Sequence, residues 1–591
     1  MALTSDNRKP GKMLRAAHRV MPGLDTFTRY QRSWLRSDLA AGLSVAAVAL
    51  PVGIAYAELA GVPAVYGMYS AIFPLLIYAL FGSSRQLMTG PDAATCIIVA
   101  AALGPLAGGD PAKYLTLMVI LTLLTGVLYI VAGLARLGFI ANFLSQPILT
   151  GYLNGIALLI IAGQLEKLFG YPGEADDFLA KLVEFVSRLD QSHLPTLLLG
   201  LGLLAALVVL RRLSPKLPAA LVVVVAGIAV VAALGLDQDG VVVLGSVPAG
   251  LPSLHFEYID PGVIGELFIS AAGIALVSFT SGVLTAKSFA RRNRYEINPN
   301  QELIAFGACN IATGLAQGFP VTGADSRTAV NNAMGGKTQL AGIAAAAAML
   351  LVLFFLTEPL AYVPTAALAA VIMVSAIGLF DWRELRHLYL LSHRELLLSV
   401  ATTVGVLTLG VLPGVLLAVV LSLLWLLSVV SKPHYGELGR VKGMKGFHNK
   451  TDYPEAKTIP GLVIYRFDSN IVFFNADNFR DGLREVIAAA QTPVEWLVID
   501  ASPINVVDYS AIQKIDEIRE ELDARGIVVA SARVKANLKN FFRRDWIERR
   551  RARNSEYDFV TVGAAVRAFK RHKRKQLKSE RQSSEAEGGS D

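Results

Sequence analysis

Charge is scarce in this chain: Asp, Glu, Lys and Arg make up 17% of its 591 residues, where a soluble protein of that length carries about a quarter. Cysteine is scarcer still. Cys96 and Cys309, both in apolar stretches, are too few for a disulfide framework or a zinc site, which leaves small packing thiols. The eight histidines show no metal-ligand spacing, so neither metal nor cofactor is expected. No phosphate-binding loop occurs, so transport would draw on gradients and not on ATP. No chain-wide pattern suggests an enzyme. No cleavable signal peptide is legible either: residues 1–36 are basic and polar and read as a cytoplasmic leader.

What the chain has is apolar length. Hydrophobic residues reach 53% and mean hydropathy is +0.49. A helix crosses the ~30 Å hydrocarbon core with about 20 mostly apolar residues. Segments near 39–60, 66–81, 92–106, 114–135, 138–163, 194–210, 217–235, 264–286, 300–316, 325–334, 338–356, 362–380, 396–410 and 412–431 are the expected crossings. Lys and Arg then gather in alternate loops, at Arg85, Arg136, Arg211, Arg212, Lys216, Lys287, Arg291, Arg292, Arg294, Lys337, Arg383, Arg386 and Arg394. Acids gather in the others, at Glu174, Asp176, Asp177, Asp237, Asp239, Glu257 and Asp260. That bias predicts an even number of crossings with both termini cytoplasmic, in the plasma (inner) membrane. The net charge of +8 follows this pattern, so it is orientation information and no nucleic-acid partner is expected.

Two segments are too short or interrupted for ordinary crossings. One opens Thr89-Gly90-Pro91-Asp92-Ala93-Ala94-Thr95, the other Thr322-Gly323-Ala324-Asp325-Ser326-Arg327-Thr328; both fit T-G-x-D-x-x-T. Each is the third segment of a seven-segment half, the mark of an inverted repeat whose half-helices meet near the bilayer midplane. A half-helix beginning there exposes unpaired N–H groups and the positive end of its dipole, a ready anion site. Arg327 in the first turn of one adds a full positive charge, at an insertion cost of roughly 2.5–3.5 kcal/mol. Asp92 and Asp325 read as helix caps or as proton-coupled carboxylates. Gly90, Pro91 and Gly323 are expected to break the helices. In the first crossing, Pro51 is expected to disrupt the helix beside Tyr56, which would line the site. Glu58, further out, is a coupling candidate. Thr280, Ser281 and Thr285 supply hydroxyls on the equivalent wall.

At residues 50–69, the run Leu-Pro-Val-Gly-Ile-Ala-Tyr-Ala-Glu-Leu-Ala-Gly-Val-Pro-Ala-Val-Tyr-Gly-Met-Tyr resembles the signature of the SulP sulfate permeases and multifunctional anion exchangers. Arg85-Gln86-Leu87 with Thr89-Gly90-Pro91-Asp92 resembles that family's third segment, and Pro320-Val321-Thr322-Gly323 with Ser326-Arg327-Thr328-Ala329-Val330-Asn331 its tenth. The resemblance implies an α-helical polytopic membrane protein of 14 transmembrane segments. They would form a seven-plus-seven inverted repeat like that of uracil permeases, with core and gate domains, in a homodimer. It implies an anion site at Tyr56, Asp92, Ala93, Ala94, Ser281, Asp325, Ser326 and Arg327, with Glu58, Asp92 and Asp325 as coupling candidates. Sulfate is the first expectation for the anion; bicarbonate, chloride, nitrate and dicarboxylates stay open, as do an anion channel or a membrane sensor. Many members have Gln where Val52 stands, and many bacterial ones have Glu or Asp where Ser281 stands. The second departure disfavours sodium coupling and favours protons or exchange.

Past Lys432-Pro433 hydropathy collapses. With residues 433–458 as linker, strands are expected at 462–467, 471–474, 496–500 and 526–530, and helices at 477–490, 509–525 and 534–541. The domain at 459–572 resembles a cytoplasmic STAS domain, with Asp508 and Ser510 in its loop. Ser510 is expected to cap a helix, and residues 573–591 to form a disordered charged tail.

Overall fold

The computed structural model describes residues 21–23, 30–142, 145–173, 175, 177–213, 217–252, 262–539 and 557–587. Most of the basic leader, Lys216, Glu174, Asp176, Glu257 and Asp260 lie outside them. The chain forms two units, Met1–Ser422 and Leu423–Asp591.

In the first unit every expected crossing is a helix. The first half holds α1 (Leu35–Leu59), α2 (Ala64–Phe81), α3 (Ala93–Ala107), α4 (Pro111–Leu134), α5 (Gln146–Phe169), the short α6 (Phe178–Ser187), α7 (Leu194–Leu213) and α8 (Ala219–Leu234). The second holds α9 (Val263–Arg292), α10 (Pro299–Leu315), α11 (Asp325–Ala333), α12 (Leu340–Phe355), the one-turn α13 (Thr357–Leu360), α14 (Thr365–Leu379), α15 (Trp382–Leu391) and α16 (His393–Leu409). It closes with α17 (Val411–Ser431), which runs past the unit boundary. At 15 and 9 residues, α3 and α11 are too short to cross a bilayer.

Local chemistry sets the starts. Asp110 accepts from the N–H groups of Ala112 and Lys113 ahead of Pro111, and Asn298 does the same for Asn300 and Gln301 ahead of Pro299. Pro51 departs from expectation. It lies inside α1, which continues unbroken to Leu59, so the disruption beside Tyr56 is absent. The neighbouring helices hold the segment, as they do for prolines in membrane helices generally.

The crossings sort into two bundles. In one, α10 packs on α4 and α2, α12 on α1 and α2, and α9 on α4; in the other, α5 packs on α14 and α16, and α14 on α7. The α4–α10 contact is backbone-close, since a Cβ added at Gly307 would lie 2.8 Å from the Gly126 carbonyl. Small residues provide this approach where no hydrophobic effect drives helices together. Helix α1 also touches α8 and α14, so it lines the seam between the bundles.

The second unit is an α/β domain on a six-stranded sheet. Its strands are β3 (Tyr435–Gly439), β4 (His448–Asn449), β5 (Leu462–Phe467), β6 (Trp496–Asp500), β7 (Val528–Ala532) and β8 (Asp558–Phe559), numbered after the two-residue β1 (Thr89–Gly90) and β2 (Thr322–Gly323) of the first unit. The order is β4-β3-β5-β6-β7-β8, with β5 to β8 parallel and β3 antiparallel to both neighbours. Helices α18 (Ala476–Ala488) and α19 (Tyr509–Ala524) cover one face and α20 (Val562–Glu587) the other.

Three expectations change here. The supposed linker carries β3 and β4. Residues 471–474 are no strand: Ile471 makes an isolated bridge to Val507, and Asn475 takes the Val472 N–H and donates to the Asn470 carbonyl, turning the chain. Residues 573–587, expected to be disordered, continue α20. Nothing from 564 to 587 is Gly or Pro, and a helix anchored by Val566 and Phe569 propagates at little cost.

Candidate functional site

The two T-G-x-D-x-x-T segments meet. Strand β1 pairs antiparallel with β2, Thr89 opposite Gly323 and Gly90 opposite Thr322. Chain direction is opposite in the two strands, so α3 and α11 leave the pair in opposite directions, each with its amino end at the junction. Gly90 has φ +153°, a region open to glycine. A Cβ at Gly323 would lie 2.9 Å from Leu87 and 3.1 Å from the Gly282 Cα, so glycine also lets β2 approach α9.

Arg327 sits in the first turn of α11 and is 1% exposed. Its Nη2 donates to the Pro91 carbonyl, while Nε and Nη1 are buried and have no partner among the described residues. Asp92, Tyr56 and Cys96 are its electrostatic neighbours, and no described carboxylate forms an ion pair with it. A buried guanidinium with free N–H groups beside two helix amino ends is a focus of positive potential.

Asp92 caps α3: its carboxylate accepts from the Thr95 N–H at 3.3 Å. Ala93 and Ala94, both buried, put only methyl groups beside the first-turn N–H groups. Asp325 does not cap α11. The cap is Ala324, with no side-chain bond; Asp325 is the first helical residue, its carboxylate accepting from the Thr285 hydroxyl. Asp325 and the adjacent Ser326 are exposed, so the amino end of α11 stays accessible. Tyr56 is buried on α1 within electrostatic reach of Asp92 and Arg327.

Ser281 is half-buried on α9 and is not the residue of that helix that binds the junction. Ser278, Gly282 and Thr285 do. The Ser278 hydroxyl lies 2.8 Å from that of Thr95, and its carbonyl accepts from the Thr322 hydroxyl at 2.7 Å. Sequence reasoning passed over Ser278 and Gly282, although their i, i+4, i+7 spacing with Thr285 marks one helical face. Glu58 is drawn elsewhere, into an ion pair with Lys167.

A buried polar frame holds the junction in register. Tyr78, the Ser83 N–H and the Ser83 hydroxyl donate to Glu302 at 2.6, 2.9 and 2.6 Å. Gln339 donates to the carbonyls of Ser84 and Leu87, Asn331 to that of Gln86, and the Met88 N–H donates to Thr328. Asp38, fully buried, accepts from the N–H groups of Lys337 and Thr338 and from the Thr338 hydroxyl. Among the described residues no cluster of His, Cys, Asp and Glu suits a metal ion. In the second unit Asp508, not Ser510, caps α19, accepting from Ala511 at 2.8 Å and from Phe473 at 2.7 Å; Ser510 is exposed in the first turn.

Residues 35–402 match the sulfate permease family and residues 453–544 the STAS domain. A Mycobacterium tuberculosis protein named "Probable sulfate transporter" is 44% identical over 550 residues, which is 93% of this chain and 98% of the relative. The Arabidopsis thaliana "Sulfate transporter 4.1, chloroplastic" is 32% identical over 84% of this chain and 75% of its own length. Among solved structures, SLC26A9 superposes with a TM-score of 0.88 at 21% identity, covering 96% of this chain and 95% of that one. The transmembrane domain of the cyanobacterial bicarbonate transporter BicA gives 0.58 at 24% identity, over 67% and 97%.

Proposed function

The chain belongs to the sulfate permease family, and from that premise we propose that it is a sulfate carrier whose anion rests at the α3–α11 junction. One observation carries the reading: Arg327 is buried and, among the described residues, makes no ion pair and leaves Nε and Nη1 without a partner beside two helix amino ends. In a low-dielectric setting these donors replace part of an oxyanion's hydration. The relatives named as sulfate transporters supply the choice of anion. Tyr56, Asp92, Ala93, Ala94, Asp325 and Ser326 surround the passenger, and Ser281 stands half-buried on the α9 wall.

Coupling is assigned to protons or to exchange. Asp92 feels both Asp325 and Arg327, so a proton taken up by either carboxylate strengthens the site for a dianion. The loop charges support cytoplasmic termini in the inner membrane, and the family resemblance supports a homodimer.

The test is uptake of labelled sulfate into proteoliposomes holding the purified chain. Saturable uptake that an opposing anion gradient accelerates is the expected result, with Arg327→Ala abolishing it while leaving a monodisperse, membrane-inserted protein. Large uncoupled anion currents would indicate a channel. A competition panel of bicarbonate, chloride, nitrate and dicarboxylates identifies the passenger if sulfate fails.

A further inference from the structure

The last turns of α1 and α5 are joined by charge. Lys167 Nζ lies 2.8 Å from Glu58 Oε1, with only 25% of the lysine side chain and 20% of the glutamate side chain exposed. The second carboxylate oxygen, Oε2, is buried and has no partner among the described residues. Lys167 is therefore the group that neutralises Glu58, and moving it away leaves a carboxylate poorly solvated. An ion pair this covered is worth more than a surface pair, and breaking it leaves a charge stranded.

The two residues belong to different bundles. Glu58 is on α1, which packs with α2 and α12, whereas α5 packs with α14 and α16. The anion junction lies against the same seam, because Tyr56, half a turn before Glu58, faces both Arg327 and Ser375 of α14. A carrier must uncover such a site to one side and then the other. It does so by changing how the bundles meet, and a charge pair across the seam is made in one arrangement and broken in the other.

We infer that Glu58 and Lys167 form a latch that holds the outer side of the carrier shut. With cytoplasmic termini, the carboxyl ends of α1 and α5 both face outward, on the side the pair closes. The inference rests on the carrier reading and on that orientation, but not on sulfate being the passenger.

The experiment reads accessibility, so it does not depend on knowing the anion. Ser326→Cys serves as reporter because Ser326 is exposed while the native Cys96 and Cys309 are buried. Labelling by a membrane-impermeant thiol reagent is followed in right-side-out vesicles. Glu58→Gln and Lys167→Gln are each expected to speed external labelling by roughly 5–30-fold, the shift that losing one partly buried interaction produces. The exchange Glu58→Lys with Lys167→Glu is expected to return it toward the starting rate. Unchanged labelling in both single variants, or an exchange no slower than they are, overturns the latch. Should the single variants fail to reach the membrane, Glu58→Cys with Lys167→Cys is bridged by a reducible thiol cross-linker. Turnover that stops on bridging and returns on reduction supports the latch; undiminished turnover while bridged overturns it.

Discussion

Gly90 and Arg327 are fitted to each other across the junction: a methyl group added at Gly90 would come within 2.4 Å of the Arg327 Nη1 atom. The glycine is thus required twice, for its φ of +153° and for the space the guanidinium occupies. Gly90→Ala is expected to cut sulfate uptake at least ~10-fold, because displacing a positioned group by about 1 Å can cost that or more. Uptake kinetics beside a size-exclusion profile check it; a normal rate in well-folded protein counts against the fit.

Ser278→Ala removes one hydroxyl from the α3–α9 contact and leaves the bond from Thr322 to the Ser278 carbonyl intact. A single buried hydrogen bond is worth about 1 kcal/mol, so a loss near fivefold in apparent affinity is expected. Gly282→Val is expected to be far worse, since even a Cβ there lies 2.7 Å from the Thr322 hydroxyl. Initial uptake rates across a sulfate range separate the two.

Asp38 ties the start of α1 to the turn before α12 through three accepted bonds. Asp38→Ala orphans the buried N–H and hydroxyl of Thr338 and the partly buried N–H of Lys337, and is expected to destabilise the first unit by about 2–4 kcal/mol. Asp38→Asn keeps one acceptor and is expected to lose less. Thermal unfolding in detergent measures the ranking.

In the second unit Asp500 is fully buried and accepts a forked bond from Arg533, whose side chain is 41% exposed. The two truncations are therefore unequal. Arg533→Ala strands a buried carboxylate and is expected to cost about 3 kcal/mol; Asp500→Asn leaves a guanidinium that can reach water and is expected to cost less. Denaturation of the full chain, followed by a probe in the sheet, decides the order.

Replacing sodium by choline is expected to leave uptake intact. The family resemblance implies an acid in many bacterial members where this chain has Ser281. A strict sodium requirement would overturn this.

Hydropathy and the repeated T-G-x-D-x-x-T sufficed to place the crossings, to pair 89–95 with 322–328 and to single out Arg327, because apolar length and helix punctuation are properties of local sequence. Pro51 was misread by the same local rule: its missing N–H weakens a helix, but neighbouring helices hold α1 together. Capping shows a similar limit. Asp325 and Ser510 looked like caps, yet Ala324 and Asp508 occupy those positions, since a shift of one or two residues in where a helix begins is set by packing.

The chain by itself therefore determined that there are two short, interrupted helices and that Asp92, Asp325 and Arg327 stand at their amino ends. Only the tertiary structure decided who their neighbours are. Ser278 beside Thr95, Asp38 beside Thr338 and Glu58 beside Lys167 are pairs separated by more than a hundred positions. Side chains that far apart carry no periodic signal of their meeting, and their contact exists only once the helices pack around them.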